Sequence, residues 1–148
     1  MQIKDIMTTN VEIVRPDTPL LEAARLMRDL DVGVLPICDG RRLLGILTDR
    51  DLTVRAVAEG RNPNTAPVSD SMTPEVVYCF DDDSTADAER LMAEKQIRRL
   101  PVLDHDQRLV GIVSLGDLAV RTRETKVVGK TLERVSEPSD KPLATMTL

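Results

Sequence analysis

Two stretches, GILTDRD at 45–51 and GIVSLGD at 111–117, follow one template: glycine, two aliphatics, a hydroxyl residue, two variable positions and aspartate. A template that returns in so short a chain points to an internal repeat, and the flanking residues bear this out. A shift of 65 residues matches Asp5 with Asp70, Met7 with Met72, Thr8 with Thr73, Leu26 with Leu91, Met27 with Met92, Leu35 with Leu100 and Pro36 with Pro101. One extra residue in a later turn raises the shift to 66 and then matches Gly45 with Gly111, Asp51 with Asp117, Leu52 with Leu118 and Val54 with Val120. The chain is a tandem of two copies of one supersecondary unit, at 2–60 and 68–123. They are joined by an Asn and Pro-rich linker at 61–67, just after Gly60, and followed by 124–148.

Each copy has the same outline. VEIV (11–14) and VVYC (76–79) read as short strands, and PDTPLLEAARLMRDL and DDDSTADAERLMAEK carry apolar residues at helical spacing. Thr18 ahead of Pro19, and Asp83 in the second copy, are the expected caps. VLPIC with LLGILT, and LPVL with LVGIVS, read as β-hairpins. Each hairpin runs into a second helix, the first stopped by Gly60. A three-stranded sheet of about 60 residues leaves one face bare and is marginal alone, so two copies that bury those faces together explain the duplication on grounds of stability. The expected fold class is α+β: two β-α-β-β-α repeats related by a pseudo-two-fold axis and packed through their sheets. TKVVGKTLERVSE predicts one more short helix, and PSDKPLATMTL a loosely held tail.

Composition removes several functions. The 148 residues carry a net charge of −5, one Tyr, one Phe and no Trp, which leaves neither the basic surface nor the stacking platforms of a nucleic-acid binder. No apolar run has the length of a membrane span, and MQIKDIMTTN lacks the features of a signal peptide, so the expected location is the cytoplasm. Cys38 and Cys79 lack CxxC spacing and read as small buried residues, with a redox pair as the alternative. His105, the one histidine, falls in the turn DHDQR and reads as a solvent-exposed turn residue. Asp81, Asp82 and Asp83 precede a helix and read as a cap and a dipole-favouring first turn, so neither a catalytic group nor a metal site is expected.

The repeated hydroxyl and carboxylate (Thr48 and Asp51, Ser114 and Asp117) fall where a strand ends and a helix begins. Free amides at a helix start favour a phosphate, and a carboxylate is a natural acceptor for the vicinal diol of a ribose, so the pair suits a ribonucleotide. The alternative is local: the hydroxyl caps the helix and the Asp favours its dipole.

The DIM(T) opening of each copy, the PDTPLLEAARLM helix, the LPI/LPV strand and the G-h-h-[TS]-x-x-D ending resemble the CBS domain, named after cystathionine β-synthase, over residues 2 to about 123. MRDLDVGVLPIC, LTDRDL and GRNPNTA look in particular like small stand-alone bacterial CBS proteins of the hypoxic-response type. The resemblance implies a Bateman module with two clefts between its repeats, for adenine nucleotides or a related adenosyl ligand: AMP, ADP, ATP, NADH or S-adenosylmethionine. One site would take Ile112, Ser114 and Asp117 with Val11, the backbone of Glu12, Val32 and Gly33, and Arg98 towards phosphate. The other would take Ile46, Thr48, Arg50 and Asp51 with Val76, Val77, Ile97 and Arg98, and Arg99 reaching phosphate. Arg98 and Arg99 align with Gly33 and Val34, so one site is expected to bind more tightly. The resemblance further implies a non-enzymatic regulatory module that forms a homodimer through its second helices and passes a change of shape to an unidentified protein partner. The alternative is a ligand-free stress-response scaffold acting through its dimer surface.

Overall fold

The computed structural model describes residues 1–122 and 125–137, so the expected tail lies outside the described residues. The elements are α1 (Leu20–Leu30), β1 (Val34–Asp39), β2 (Arg42–Thr48), α2 (Asp49–Asp51, continued by a π-helix over Leu52–Val57), β3 (Cys79–Phe80), α3 (Thr85–Lys95), β4 (Arg99–Leu103), β5 (Leu109–Ser114), α4 (Leu115–Thr122) and α5 (Thr125–Ser136). Short 3-10 turns open each copy at Ile3–Asp5 and Val68–Asp70. The mixed helix and strand content is that of an α+β fold. Among the described residues no helix is long and apolar enough to cross a membrane.

The chain divides into two compact units, and these are not the two sequence copies. One comprises Met1–Val11, Val77–Asp106 and Val110–Leu148; the other comprises Glu12–Val76 and Gln107–Leu109. Each unit is therefore built on the hairpin of one copy and the opening segment of the other. In the unit built on the second copy, Thr8 and Ile112 exchange two backbone hydrogen bonds, of 2.9 and 3.0 Å. In the unit built on the first, Thr73 and Ile46 do the same at 2.8 and 3.0 Å. The cores follow the exchange. Ile3 and Ile6 are buried with Met92, Leu100 and Val113, whereas Val68 is buried with Met27, Ile37 and Leu47.

This crossing explains the glycine that opens the repeated template. A Cβ on Gly45 would lie 2.8 Å from the Thr73 carbonyl and 2.9 Å from Met72 Sδ. On Gly111 it would lie 2.8 Å from the Thr8 carbonyl and 2.7 Å from Met7 Sδ. The strand passes so close to the crossing segment that no side chain fits.

The first strand of each copy is shorter than the sequence predicts. Val14 makes an isolated parallel bridge to Ile37, and β3 has two residues, paired in parallel with β4 as Cys79 with Val102 and Phe80 with Leu103. Helix starts also differ from expectation. Thr18 Oγ1 accepts from Arg15 N at 3.0 Å, which leaves α1 to begin after Pro19 without a side-chain cap. Ser84, not Asp83, caps α3, accepting from Asp87 N at 3.1 Å, while Asp83 Oδ2 accepts from Phe80 N at 2.8 Å and closes the preceding turn. Gly60 has the expected left-handed conformation, with φ 72°. The predicted last helix forms as α5 and packs on α3 and α4. Gln96 Nε2 donates to the carbonyls of Arg134 (3.1 Å) and Glu137 (3.3 Å), satisfying acceptors at the open end of α5.

Gly45→Ala and Gly111→Ala are each expected to destabilise the fold by about 1–3 kcal/mol, the usual cost of overpacking, because a backbone carbonyl is among the atoms that must move. Urea unfolding checks this. A loss of a few tenths would show that the crossing segment adjusts freely.

Candidate functional site

Each unit has one corner where the hairpin passes into a helix. In both copies the preceding helix ends on a left-handed residue, Asp31 or Gln96, each with φ 54°. Val32 N then donates to Met27 O, and Ile97 N to Met92 O, both at 3.0 Å. This turn presents the carbonyl of the next residue to the second helix. Gly33 O accepts from Asp49 N at 2.9 Å, and Arg98 O accepts from Leu115 N at 2.8 Å.

The repeated hydroxyl and carboxylate close the corner as a reciprocal capping box. Thr48 Oγ1 accepts from Asp51 N at 3.0 Å and Asp51 Oδ2 from Thr48 N at 2.9 Å. Ser114 Oγ accepts from Asp117 N at 3.0 Å and Asp117 Oδ2 from Ser114 N at 2.9 Å. The local reading of the template thus describes both copies. Each hydroxyl keeps a proton to donate, and Asp117 keeps a second oxygen outside its capping box, so a ligand can still use the corner.

One expectation needs correction. The amides at the start of α2 are not free for a phosphate: Asp49 N donates to Gly33 O, Arg50 N to Asp49 Oδ1 at 2.8 Å, and Asp51 N to Thr48. In the other copy Leu115 replaces Asp49, so Gly116 has no such carboxylate beside its amide. Asp51 is a buried carboxylate. It is 7% exposed, because Thr73 Oγ1 on the crossing segment donates to its carboxylate at 3.4 Å and Arg55 Nε lies 3.7 Å from Oδ1. Asp117 is half-buried.

The remaining expected residues divide between the units. Val11, Val77, Ile97, Arg98, Arg99 and Ile112 belong with Ser114 and Asp117; Glu12, Val32, Gly33, Ile46, Arg50 and Val76 belong with Thr48 and Asp51. Val11, Val76, Val77, Ile97, Ile46 and Ile112 are half-buried, whereas Arg50, Arg98 and Arg99 are exposed. Among the described residues, neither Arg98 nor Arg99 takes part in an ion pair. Thr73, Arg55 and the two template glycines were not among the expected site residues. The repeat alone marked them, through the matches Thr8/Thr73, Gly45/Gly111 and Arg55/Arg121.

His105 is exposed but not a bare turn residue. Its Nε2 lies 2.7 Å from Asp82 Oδ2, and its ring stacks on Phe80 with centroids 4.6 Å apart. The hydrogen bond and charge of Asp82 raise the imidazole pKa above its ordinary value, and the same hydrogen bond holds Asp82 below the usual carboxylate range. Cys38 and Cys79 are buried. Burial pushes their thiols up to about 11 and about 12, Cys79 with the added charge of Asp83, so both remain protonated at neutral pH.

The two copies each match the family model for the CBS domain, over residues 3–57 and 68–123. The chain belongs to the CBS-domain family. Among its relatives is the CBS domain-containing protein YhcV of Bacillus subtilis, 46% identical over 134 residues, or 90% of this chain and 94% of that one. Hypoxic Response Protein I of Mycobacterium tuberculosis, solved with two coordinated zinc ions, is 39% identical with a TM-score of 0.74, covering 82% of this chain and 98% of that one. CBSX2 of Arabidopsis thaliana, solved in complex with AMP, is 30% identical with a TM-score of 0.71, covering 84% and 98%. The tandem CBS pair expected from the repeat, and its likeness to the hypoxic-response proteins, are thereby established.

The corners differ in how far the carboxylate is committed to the fold. Asp51→Ala is expected to cost about 1.5–3 kcal/mol, the range for hydrogen bonds to a charged group, and Asp117→Ala about 1 kcal/mol, typical of a lost cap. Equal losses in urea unfolding would show that Thr73 and Arg55 add nothing at Asp51.

Proposed function

We propose that this CBS pair is a non-enzymatic regulatory module that binds an adenosyl ligand at its strand-to-helix corners. The observation that carries the reading is the twice-built corner, in which a hydroxyl and a carboxylate are held rigidly while each hydroxyl keeps a proton to donate and Asp117 keeps an oxygen to accept. Half-buried aliphatics in the same units, such as Val11 and Ile112, offer flat apolar surface for a base in a chain with few aromatic rings. That CBSX2 was solved with AMP supports this ligand class. AMP, ADP, ATP, NADH and S-adenosylmethionine are the candidates, and the cytoplasm, where both thiols stay reduced, is the place of action.

Exposed Arg98 and Arg99 supply the phosphate-directed charge on this reading. A thermal-shift and calorimetric screen of the five candidates, with adenosine as the control, should show phosphorylated ligands binding more tightly than the nucleoside. Arg98→Gln/Arg99→Gln should abolish that preference while leaving nucleoside binding within about threefold. Preference that survives the double change would move the phosphate elsewhere. No heat and no shift with any of the ligands would favour a scaffold without a small-molecule ligand.

One observation favours self-association under either reading. Of the apolar residues on the second helices, Ala56 and Leu118 are core, but Val54, Val57 and Val120 remain 39%, 73% and 77% exposed. We infer that these valines pair two chains into a homodimer. Light scattering should give twice the 16.4 kDa chain mass at micromolar concentration, and Val57→Asp/Val120→Asp should give the monomer. A wild-type monomer would refute the dimer.

A further inference from the structure

The parallel pairing of β3 with β4 has a second result. Chains that leave parallel neighbours run on side by side, so the turn after β3 lies next to the turn after β4, with Asp81 N donating to Leu103 O at 2.9 Å. This brings Asp81 and Asp82 to His105, more than twenty residues away in sequence. Donor atoms of the three side chains lie within 4.8 Å of one another. We propose that Asp81, Asp82 and His105 bind a divalent transition-metal ion of the zinc type.

Three observations support the assignment. The imidazole is held in place before any ion arrives: it stacks on Phe80 at an interplanar angle of 16°, and Phe80 is met edge-on by Tyr78 at 5.6 Å. The one Tyr, one Phe and one His of the chain thus form a single stack. Second, capping does not account for the carboxylates of Asp81 and Asp82, because Ser84 caps α3 and Asp83 closes the turn. Third, Nε2 of His105 and Oδ2 of Asp82 are 2.7 Å apart and share one proton, which an ion would displace. One imidazole with two carboxylates suits zinc, cobalt or manganese better than calcium or magnesium, which prefer all-oxygen sites. The three side chains are exposed or half-buried, so water completes the coordination. Cys38 and Cys79 are poor rivals as ligands, since both are buried as thiols.

The single histidine makes the test direct. Zinc chloride titrated into the ¹⁵N-labelled full chain should move the ring ¹⁵N resonances of His105, and calorimetry should give one ion per chain. His105→Asn and Asp82→Asn, both at exposed positions, should each weaken binding at least tenfold while leaving the circular dichroism spectrum unchanged. Ring resonances that stay fixed at millimolar zinc would overturn the proposal, as would undiminished binding by His105→Asn. Binding lost only in Cys38→Ser/Cys79→Ser would place the ion on the thiols and overturn it equally.

Discussion

Two pairs of backbone hydrogen bonds, Thr8 with Ile112 and Thr73 with Ile46, decide how this chain is assembled. Each ties the opening segment of one copy to the hairpin of the other, so neither compact unit can be completed from a single copy. The remaining features of the template follow from that constraint. The strand must carry glycine where the segment crosses, because the crossing carbonyl occupies the place of a Cβ. Met7 and Met72 recur because their thioethers cover those glycines, a task suited to an unbranched and adaptable side chain. Thr73 belongs to the same crossing, and by reaching Asp51 it draws the corner carboxylate into the fold.

The corner therefore does structural work before it does anything else. A capping box satisfies two amides with two side-chain oxygens, and both copies have it at nearly the same distances. This bears on how far the template argues for a ligand. Its recurrence alone is explained by the need to turn a strand into a helix twice. What points beyond the fold is the capacity left over, which is greater at half-buried Asp117 than at Asp51, where Thr73 and Arg55 already engage the carboxylate.

The elements and the tandem pair were legible in the sequence because they rest on local periodicity and on self-comparison, as with Leu20–Leu30 and Thr85–Lys95. The exchange of opening segments was not, since it depends on which hairpin a segment joins, and a self-alignment is the same either way. The helix caps failed for a related reason. Thr18, Asp83 and Ser84 are all competent acceptors, and only the path of the preceding turn decides which amide each one meets. His105 with Asp82 was invisible because parallel strands join residues that no short-range pattern links. The repeat itself carries the mark of the crossing: Thr8 with Thr73 is as regular a match as Asp51 with Asp117.

The inequality between the copies can be traced to the residue that opens each second helix. At Asp49, Oδ2 stands 3.0 Å from where a Cβ on Gly33 would be, and the carboxylate also accepts from Arg50 N. A side chain at 33 would have to displace that oxygen, and glycine avoids the conflict. In the other copy the helix opens with Leu115, which turns into the core at 6% exposure and leaves position 98 able to carry arginine. One substitution pair, Asp49 with Gly33 against Leu115 with Arg98, thus sets the charge of the corner. The first has carboxylates at 49 and 51 against Arg50 and Arg55, and Arg55 is already paired with Asp51. The second has Asp117 with Arg98 and Arg99 in the same unit. In a chain of net charge −5 an anionic group needs such a local excess of cations, and the effect is strongest where water is partly excluded. On the proposed reading, phosphate therefore favours the corner of Ser114 and Asp117, for a reason that begins in packing rather than in the arginines themselves.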